Sequence, residues 1–145
     1  MKITKNTNIL IIGLGLIGGS YAKALKKKGF KVNAIDKNQE SISYGLKNKI
    51  IDNGFTEVEK EMIQTADLII FTLYPNVFIE WIKEYGKFIS SKTVVTDVTG
   101  VKGGVVEIIQ SLLPKGEEFI SAHPMAGRET SGVQNSNEEI FKNAN

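Results

Sequence analysis

The 145-residue sequence predicts an α/β fold of the doubly wound type, a mostly parallel sheet with helices on both faces. Short, continuously apolar runs such as 8–12 and 68–73 are typical of strands covered on both faces. Segments with helical apolar spacing alternate with these runs along the chain. The length fits a single domain that spans residues 1–145.

Five strands are predicted, at residues 8–12, 31–36, 68–73, 93–97 and 119–123. Each is a short run rich in apolar or β-branched residues, and the 68–73 run is the clearest of them. Pro75 is expected to end that run, because proline has no backbone N–H to donate to a sheet. The pair Asn53-Gly54 is predicted to form a turn.

Three helices are predicted in the first half of the chain. Residues 16–28 carry apolar side chains at i, i+4, i+7 and i+8, which form one helix face, and Gly29 provides the C-terminal stop. Asn38 is expected to cap a helix that runs to about residue 47. Thr56 and Glu59 have the spacing of a capping box, which predicts a short helix.

Two helical stripes follow in the second half. Residues 78–89 include Trp81, which the pattern assigns to the core rather than to stacking on a ligand. Residues 105–113 form a strong apolar stripe that Pro114 closes. From Pro124 onward the sequence is polar and has no strong period, except around Ile140-Phe141.

The composition excludes several kinds of site. The chain has no cysteine and one histidine, His123, so we expect no disulfide, no thiolate chemistry and no metal site. The net charge is only +2, and the cluster Lys26-Lys27-Lys28 falls at a predicted helix end, where cations complement the helix dipole. Nucleic acid is therefore not an expected partner.

No signal in the sequence directs the chain to a membrane or out of the cell. No apolar run approaches the roughly 18 residues that a spanning helix needs. Residues 1–6 are polar and lead straight into a strand, so a signal peptide is not expected. The absence of cysteine fits a reducing compartment, and we expect a cytoplasmic protein.

A glycine-rich segment follows the first predicted strand and reads Gly13-Leu14-Gly15-Leu16-Ile17-Gly18. It matches G-x-G-x-x-G between a buried strand and an amphipathic helix, the context of the Rossmann dinucleotide-binding fingerprint. Gly13 permits the tight turn, Gly15 lets the backbone approach a pyrophosphate, and Gly18 allows close helix packing. Leu16 and Ile17 lie at the helix N-terminus, which offers N–H groups to the phosphates. The alternative is a glycine-rich turn with a structural role only.

Asp36 lies at the end of the second predicted strand, about 20 residues after the glycines, where the fingerprint expects an acid. Its carboxylate would accept hydrogen bonds from the adenosine ribose hydroxyls and would repel a 2′-phosphate. We therefore expect NAD rather than NADP as the cofactor. Lys37 is the alternative contact, because its ammonium group can reach a phosphate.

The segment Thr72-Leu73-Tyr74-Pro75 follows the third predicted strand. Ligands of doubly wound sheets bind beyond the carboxyl ends of the strands, so this segment suits a loop under the cofactor's ribose and pyrophosphate. An ordinary strand-to-helix turn explains the same pattern equally well.

Two further segments follow the last predicted strands, at residues 96–102 and 123–129. They read Thr96-Asp97-Val98-Thr99-Gly100-Val101-Lys102 and His123-Pro124-Met125-Ala126-Gly127-Arg128-Glu129. Together with the fingerprint they resemble the prephenate dehydrogenase family, including its arogenate-using relatives. The resemblance covers essentially residues 8–145.

The resemblance implies NAD-dependent oxidative decarboxylation of prephenate to 4-hydroxyphenylpyruvate, a step of tyrosine biosynthesis. His123 is then the general base at the ring hydroxyl of the substrate, a role that suits imidazole near neutral pH. Gly100, Gly127 and Glu129 are implied to lie at the substrate. The family usually has serine where alignment on Asp97 and on Val101-Lys102 puts glycine, and Thr99 is the nearest hydroxyl that could replace it.

The resemblance also implies a second, mostly helical domain that follows this one, forms the dimer and completes the substrate pocket. We therefore expect the isolated chain to be a monomer that binds NAD and is inactive, and the full-length protein to be a homodimer. Arg128 stands where small residues are common, either as an extra anion contact or as a surface arginine.

Two other readings of the sequence stay open at this point. One is the cofactor domain of an arogenate dehydrogenase or of a dehydrogenase for short hydroxy acids. The other is a non-catalytic module that senses NAD(H) and signals through a partner. The histidine segment argues against the sensor, because a sensor needs no base beside the nicotinamide.

Overall fold

The computed structural model describes residues 1–100 and 103–144 of the chain. Its strands are β1 (Ile9–Ile12), β2 (Val32–Ile35), β3 (Asn53–Phe55), β4 (Leu68–Phe71), β5 (Val94–Asp97) and β6 (Glu118–Ser121). Its α-helices are α1 (Leu16–Lys27), α2 (Gln39–Lys47), α3 (Lys60–Thr65), α4 (Pro75–Tyr85) and α5 (Val105–Leu112). Short 3₁₀ turns occupy Gly86–Phe88, Val133–Asn135 and Glu138–Phe141.

The described strands form one six-stranded sheet in the order β3-β2-β1-β4-β5-β6, and every neighbouring pair is parallel. The order reverses between β1 and β4, so the carboxyl ends of these strands form the crevice in which such sheets bind ligands. The predicted doubly wound α/β fold is confirmed.

A buried apolar cluster covers each face of the sheet. One face packs Leu10, Ile12 and Phe71 against α4 and α5 through Phe78 and Ile109. The other cluster joins alternate residues of the same strands to α1 and α2. Burial on both faces explains why β1 and β4 are uniformly apolar rather than alternating.

Asn53-Gly54 is part of a strand, so the predicted turn is wrong. It belongs to β3, which pairs in parallel with β2 at the edge of the sheet. The Asn53 amide donates to Asn33 Oδ1 over 2.9 Å. A Cβ on Gly54 would lie 2.7 Å from Ile51 Cδ1 and 2.8 Å from Ile42 Cγ2, so close packing under α2, rather than a turn, accounts for this glycine.

Two predicted boundaries are also corrected. Helix α3 begins at Lys60 with Glu59 as its N-cap, and no side chain caps it, so Thr56 and Glu59 do not form a capping box. Strand β4 ends at Phe71, before Pro75, and the hydroxyl of the next residue, Thr72, donates to the Gly13 carbonyl oxygen. Pro75 is the first residue of α4, where its missing N–H costs the helix no hydrogen bond.

The polar C-terminal segment packs along α1. Asn137 donates its backbone N–H to Ser20 Oγ over 3.0 Å, and the rings of Tyr21 and Phe141 lie 4.6 Å apart. A Cβ on Gly19 would lie 2.7 Å from Ser136 Cβ, so the glycine permits this approach. Contacts with α1, rather than a period of its own, hold this segment on the domain.

Glu117 precedes β6 and is 6% exposed, and within the described residues neither of its carboxylate oxygens has a hydrogen-bond partner. Burial raises its pKa from 4.5 to about 7. Between these values the unfolded chain loses its proton first, so the free energy of unfolding falls as the pH rises. We expect Glu117→Gln to remove this loss. The change that the substitution makes in the free energy of unfolding should then be about 2 kcal/mol more favourable at pH 8 than at pH 5.

Urea unfolding of both proteins at the two pH values measures this difference. The exposed neighbour Glu118 provides the control, since Glu118→Gln makes the same chemical change at a side chain that is not buried. An equal effect of Glu117→Gln at both pH values would show that Glu117 ionises normally in the folded chain.

Candidate active site

The glycine turn after β1 has the geometry that the fingerprint requires. Gly13 has a φ of +98°, which favours glycine, and its N–H donates to the Ile35 carbonyl over 2.8 Å. A Cβ on Gly18 would lie 2.0 Å from the Gly13 carbonyl oxygen, so only glycine lets α1 pack this closely. A Cβ on Gly15 would meet nothing within 4 Å, which leaves open the side on which a ligand approaches.

The start of α1 is suited to an anion. Gly15 is its N-cap, and no side chain caps this end or places a negative charge in the first turn. The backbone N–H groups at Leu16 and Ile17 therefore lie in the uncapped first turn, at the positive end of the helix dipole. These features fit the pyrophosphate of a dinucleotide.

Asp36 joins the glycine turn to the end of β2. Its Oδ2 accepts the Leu14 backbone N–H over 2.6 Å, and its Oδ1 accepts the Asn38 N–H over 2.8 Å. The carboxylate is half-buried and lies beside the turn, as the fingerprint predicts for an acid that binds a ribose.

A cleft of about 550 Å³ opens beyond the glycine turn. Gly13, Asp36, Lys37 and Leu73, four of the residues predicted to bind the cofactor, line this cleft. Trp81 also reaches its wall, but it is 8% exposed and packs edge-on against Phe71, with ring centroids 5.0 Å apart. Its assignment to the core is confirmed.

The rim of the cleft is acidic in a way that the sequence did not reveal. Glu57, Glu80 and Glu84 line it together with Asp36. Lys83 pairs with Glu80 over 3.0 Å. The pKa of the Tyr85 hydroxyl is raised, mainly by its hydrogen bond with Glu84. Burial and the negative charges of Glu84 and Glu57 raise it further. These glutamates come from a loop and a helix, and no motif connects them.

The residues of the Thr72–Pro75 segment have different roles. The Thr72 hydroxyl bonds to the Gly13 carbonyl oxygen and thereby holds the glycine turn. Leu73 lines the cleft, and the Tyr74 side chain is exposed (83%). Pro75 opens α4. The segment therefore positions the turn, and of its side chains Leu73 lines the cleft.

The ends of β5 and β6 bring the second group of predicted residues together. An ideal Cβ on Gly100 would lie 3.1 Å from His123 Nε2, so the Gly100 backbone lies directly against the imidazole. The Thr99 hydroxyl donates to Asp97 Oδ2 and is buried. Val101 and Lys102, used in the sequence alignment of this loop, lie outside the described residues.

His123 is exposed and lines a groove of about 500 Å³ together with Tyr21 and Leu25 of α1 and Phe141 of the C-terminal segment. Gly127, Arg128 and Glu129 follow on an exposed loop. An imidazole with this access suits a base that meets a substrate from outside the domain.

The described residues contain neither a cluster suited to a metal ion nor a helix suited to a membrane. No group of three or more His, Asp or Glu side chains in residues 1–100 and 103–144 is arranged to hold a metal ion. No helix in the same part of the chain is long and apolar enough to cross a membrane.

The comparisons with known proteins agree with this geometry. A family model described as prephenate dehydrogenase, nucleotide-binding domain, matches residues 21–145. Prephenate dehydrogenase of Bacillus subtilis is 36% identical over 99% of this chain and 39% of its own length. That of Lactococcus lactis subsp. cremoris is 34% identical over 94% of this chain and 39% of its own length. The chain thus spans about 39% of these relatives.

The solved structures give the same result. Prephenate dehydrogenase from A. aeolicus, in complex with hydroxyphenyl propionate and NAD+, matches with a TM-score of 0.86 at 33% identity. The match covers 99% of this chain and 50% of that one. Synechocystis arogenate dehydrogenase matches with a TM-score of 0.84 at 27% identity, over 94% of this chain and 47% of that one. The chain belongs to the prephenate dehydrogenase family and corresponds to its nucleotide-binding domain.

Proposed function

We propose that this chain binds NAD+ along the carboxyl ends of its strands and is the cofactor-binding part of a prephenate dehydrogenase. The observation that carries the proposal is the contact of His123 with Gly100 at the ends of β5 and β6. In a doubly wound sheet, a dinucleotide held by the glycine turn extends across this same edge. Family membership supports the same assignment.

The pyrophosphate and the adenosine ribose of the dinucleotide each have groups suited to them. Gly15 and the N–H groups of Leu16 and Ile17 receive the pyrophosphate, because no Cβ blocks the approach. Asp36 accepts hydrogen bonds from the adenosine ribose, and Leu73 contributes an apolar wall to the cleft. When bound, NAD+ supplies the acceptor for the hydride that the substrate releases.

His123 takes the proton of the ring hydroxyl as the carbon that bears it becomes a carbonyl carbon. That carbon loses its hydrogen as hydride, and the substrate then loses its ring carboxyl group as carbon dioxide. The electron pair of the broken bond restores the aromatic ring and leaves a negative charge on the ring oxygen. That oxygen takes back the proton held by His123, which gives 4-hydroxyphenylpyruvate. A positioned base of this kind typically contributes roughly 10²–10⁴-fold to the rate.

Gly100 lets its loop lie against the imidazole at the substrate site. Gly127 and Glu129 contact the substrate from the loop that follows His123. The Thr99 hydroxyl donates to Asp97. Thr99 therefore contributes to catalysis by fixing the loop that carries Gly100. Arg128 is exposed on the loop that follows His123.

NAD+ fits the cleft better than NADP+ because the rim carries the carboxylates of Glu57 and Glu84 in addition to Asp36. We expect Asp36→Ala to weaken NAD+ binding about tenfold and to strengthen NADP+ binding, as two hydrogen bonds and one repulsion disappear. Calorimetric titration with both dinucleotides measures the change.

Lys37→Ala is the matched control for Asp36→Ala. It should leave NAD+ affinity unchanged and lower NADP+ affinity in the Asp36→Ala background. A gain of NADP+ binding cannot arise from damage to the fold, so it identifies the charge effect. Unchanged selectivity in Asp36→Ala would remove Asp36 from the specificity of the site.

The activity is tested in a fusion that appends to this chain the part of the B. subtilis relative beyond the matched region. We expect the fusion to reduce NAD+ with prephenate and the isolated chain to show negligible turnover. Arogenate, offered in parallel, distinguishes the two substrates of the family. Binding of NADH in preference to NAD+, with no turnover of either substrate, would instead favour the sensing module.

The state of the molecule in the cell is part of the same proposal. We infer that the isolated chain is a monomer, that the full-length enzyme is a homodimer built through its remaining part, and that it acts in the cytoplasm. Light scattering of the chain and of the fusion distinguishes the two oligomeric states.

A further inference from the structure

Asp97 is a wholly buried carboxylate at the end of β5, with 1% of its surface exposed. Its Oδ1 accepts the Ser121 hydroxyl over 2.9 Å and the Ala122 backbone N–H over 3.3 Å. Ala122 directly precedes His123. One carboxylate oxygen is therefore tied to the segment that carries the imidazole.

The other oxygen is tied to the neighbouring loop. Asp97 Oδ2 accepts the Thr99 backbone N–H over 3.1 Å and also the Thr99 hydroxyl. Thr99 directly precedes Gly100, whose backbone lies against the imidazole. One oxygen of Asp97 thus binds the segment that leads to His123, and the other oxygen binds the loop that lies against it.

We propose that Asp97 is a positioning residue that fixes the imidazole of His123 against Gly100 and so sets its approach to the substrate. The inference rests on the proposed function of His123 as the base. Asp97 acts through the two loops and is not assigned any contact with substrate or cofactor.

A carboxylate is the side chain that suits this position. When ionised, it only accepts hydrogen bonds, and its two oxygens offer about four acceptor sites. Hydrogen bonds to an ionised acceptor are also roughly twice as strong as neutral ones. Asparagine keeps one oxygen and presents an NH₂ group to donors on the other side, so it would release one of the two loops.

The test compares Asp97→Asn with Thr96→Val. The Thr96 hydroxyl donates to the Ile120 carbonyl over 2.7 Å, so this control removes a bond between the same two strands, one residue earlier. In the fusion enzyme we expect Asp97→Asn to lower kcat by about 10–100-fold, because small misplacements of a catalytic group have effects of this size. The KM for NAD+ should stay unchanged, and Thr96→Val should leave both constants unchanged.

A second readout does not depend on turnover. His123 is the only histidine of the chain, so its ring gives a single set of imidazole signals in an NMR spectrum. In the isolated chain we expect Asp97→Asn, but not Thr96→Val, to move the His123 Cε1–H signal while the methyl signals of the sheet core stay in place.

The outcomes separate the inference from the proposed function. If the wild-type fusion binds NAD+ but converts neither substrate, the proposed role of His123 as a base fails. The NMR comparison then still tests whether Asp97 positions the imidazole. If kcat and the His123 signal are unchanged in a folded Asp97→Asn protein, the inference is overturned. Equal losses in both variants would mean that Asp97 only stabilises the strand pair, which also overturns it.

Discussion

Replacing His123 with asparagine is expected to reduce turnover of the fusion enzyme by at least about 10²-fold, the contribution typical of a general base. Asparagine keeps a polar group of similar reach but cannot take a proton near neutral pH. The NAD+ affinity should hold, because the proposed contacts of the cofactor lie at Gly13–Gly18 and Asp36. Steady-state kinetics and calorimetry on the same preparation measure both quantities.

Near-normal turnover of the His123→Asn fusion enzyme, with NAD+ affinity retained, would remove the general-base role from His123.

Replacing Gly18 with alanine is expected to destabilise the domain strongly. The new Cβ would lie 2.0 Å from the Gly13 carbonyl oxygen and 2.7 Å from Thr72 Oγ1, and the Gly13 backbone cannot move aside as the end of a flexible side chain could. We expect a loss of at least about 2–3 kcal/mol in the free energy of unfolding, as for severe overpacking of a core. Urea denaturation measures this loss.

Gly15→Ala is the matched control within the same motif. Its Cβ meets no atom within 4 Å, so the stability should be nearly that of the unmodified chain. The methyl group would, however, occupy the space proposed for the pyrophosphate, and we expect NAD+ affinity to fall at least about tenfold. If Gly15→Ala bound NAD+ normally, the glycine turn would be structural only.

Local patterns predicted most of the fold. Strands β1 and β4 are uniformly apolar because both faces of the sheet are covered, and this signal is present within four residues. Strand β3 was missed because it is a three-residue edge strand, Asn53–Phe55, whose composition matches a turn. The spacing of Thr56 and Glu59 predicted a cap, but α3 begins only at Lys60.

Local patterns also predicted one part of the site, whereas another part depends on contacts between distant residues. The glycine turn and Asp36 follow from a motif whose parts have fixed spacing, so the sequence predicts them. The Asp97 contacts with Ser121 and Ala122 join residues 24 and 25 positions apart, and no local pattern encodes them. The direction of the Thr99 hydroxyl depends on the same carboxylate, and it could be assigned only once β5 and β6 were side by side.

Calorimetric titration of this chain with NAD+ and, separately, with NADP+ tests whether the domain forms a site for NAD+. The glycine turn, the uncapped start of α1 and Asp36 together predict saturable binding of NAD+ that is clearly tighter than that of NADP+. Tighter binding of NADP+ would contradict the role of Asp36 and would make Lys37 the phosphate contact. Binding of neither dinucleotide by the folded chain would contradict the claim that this domain, by itself, forms the cofactor site.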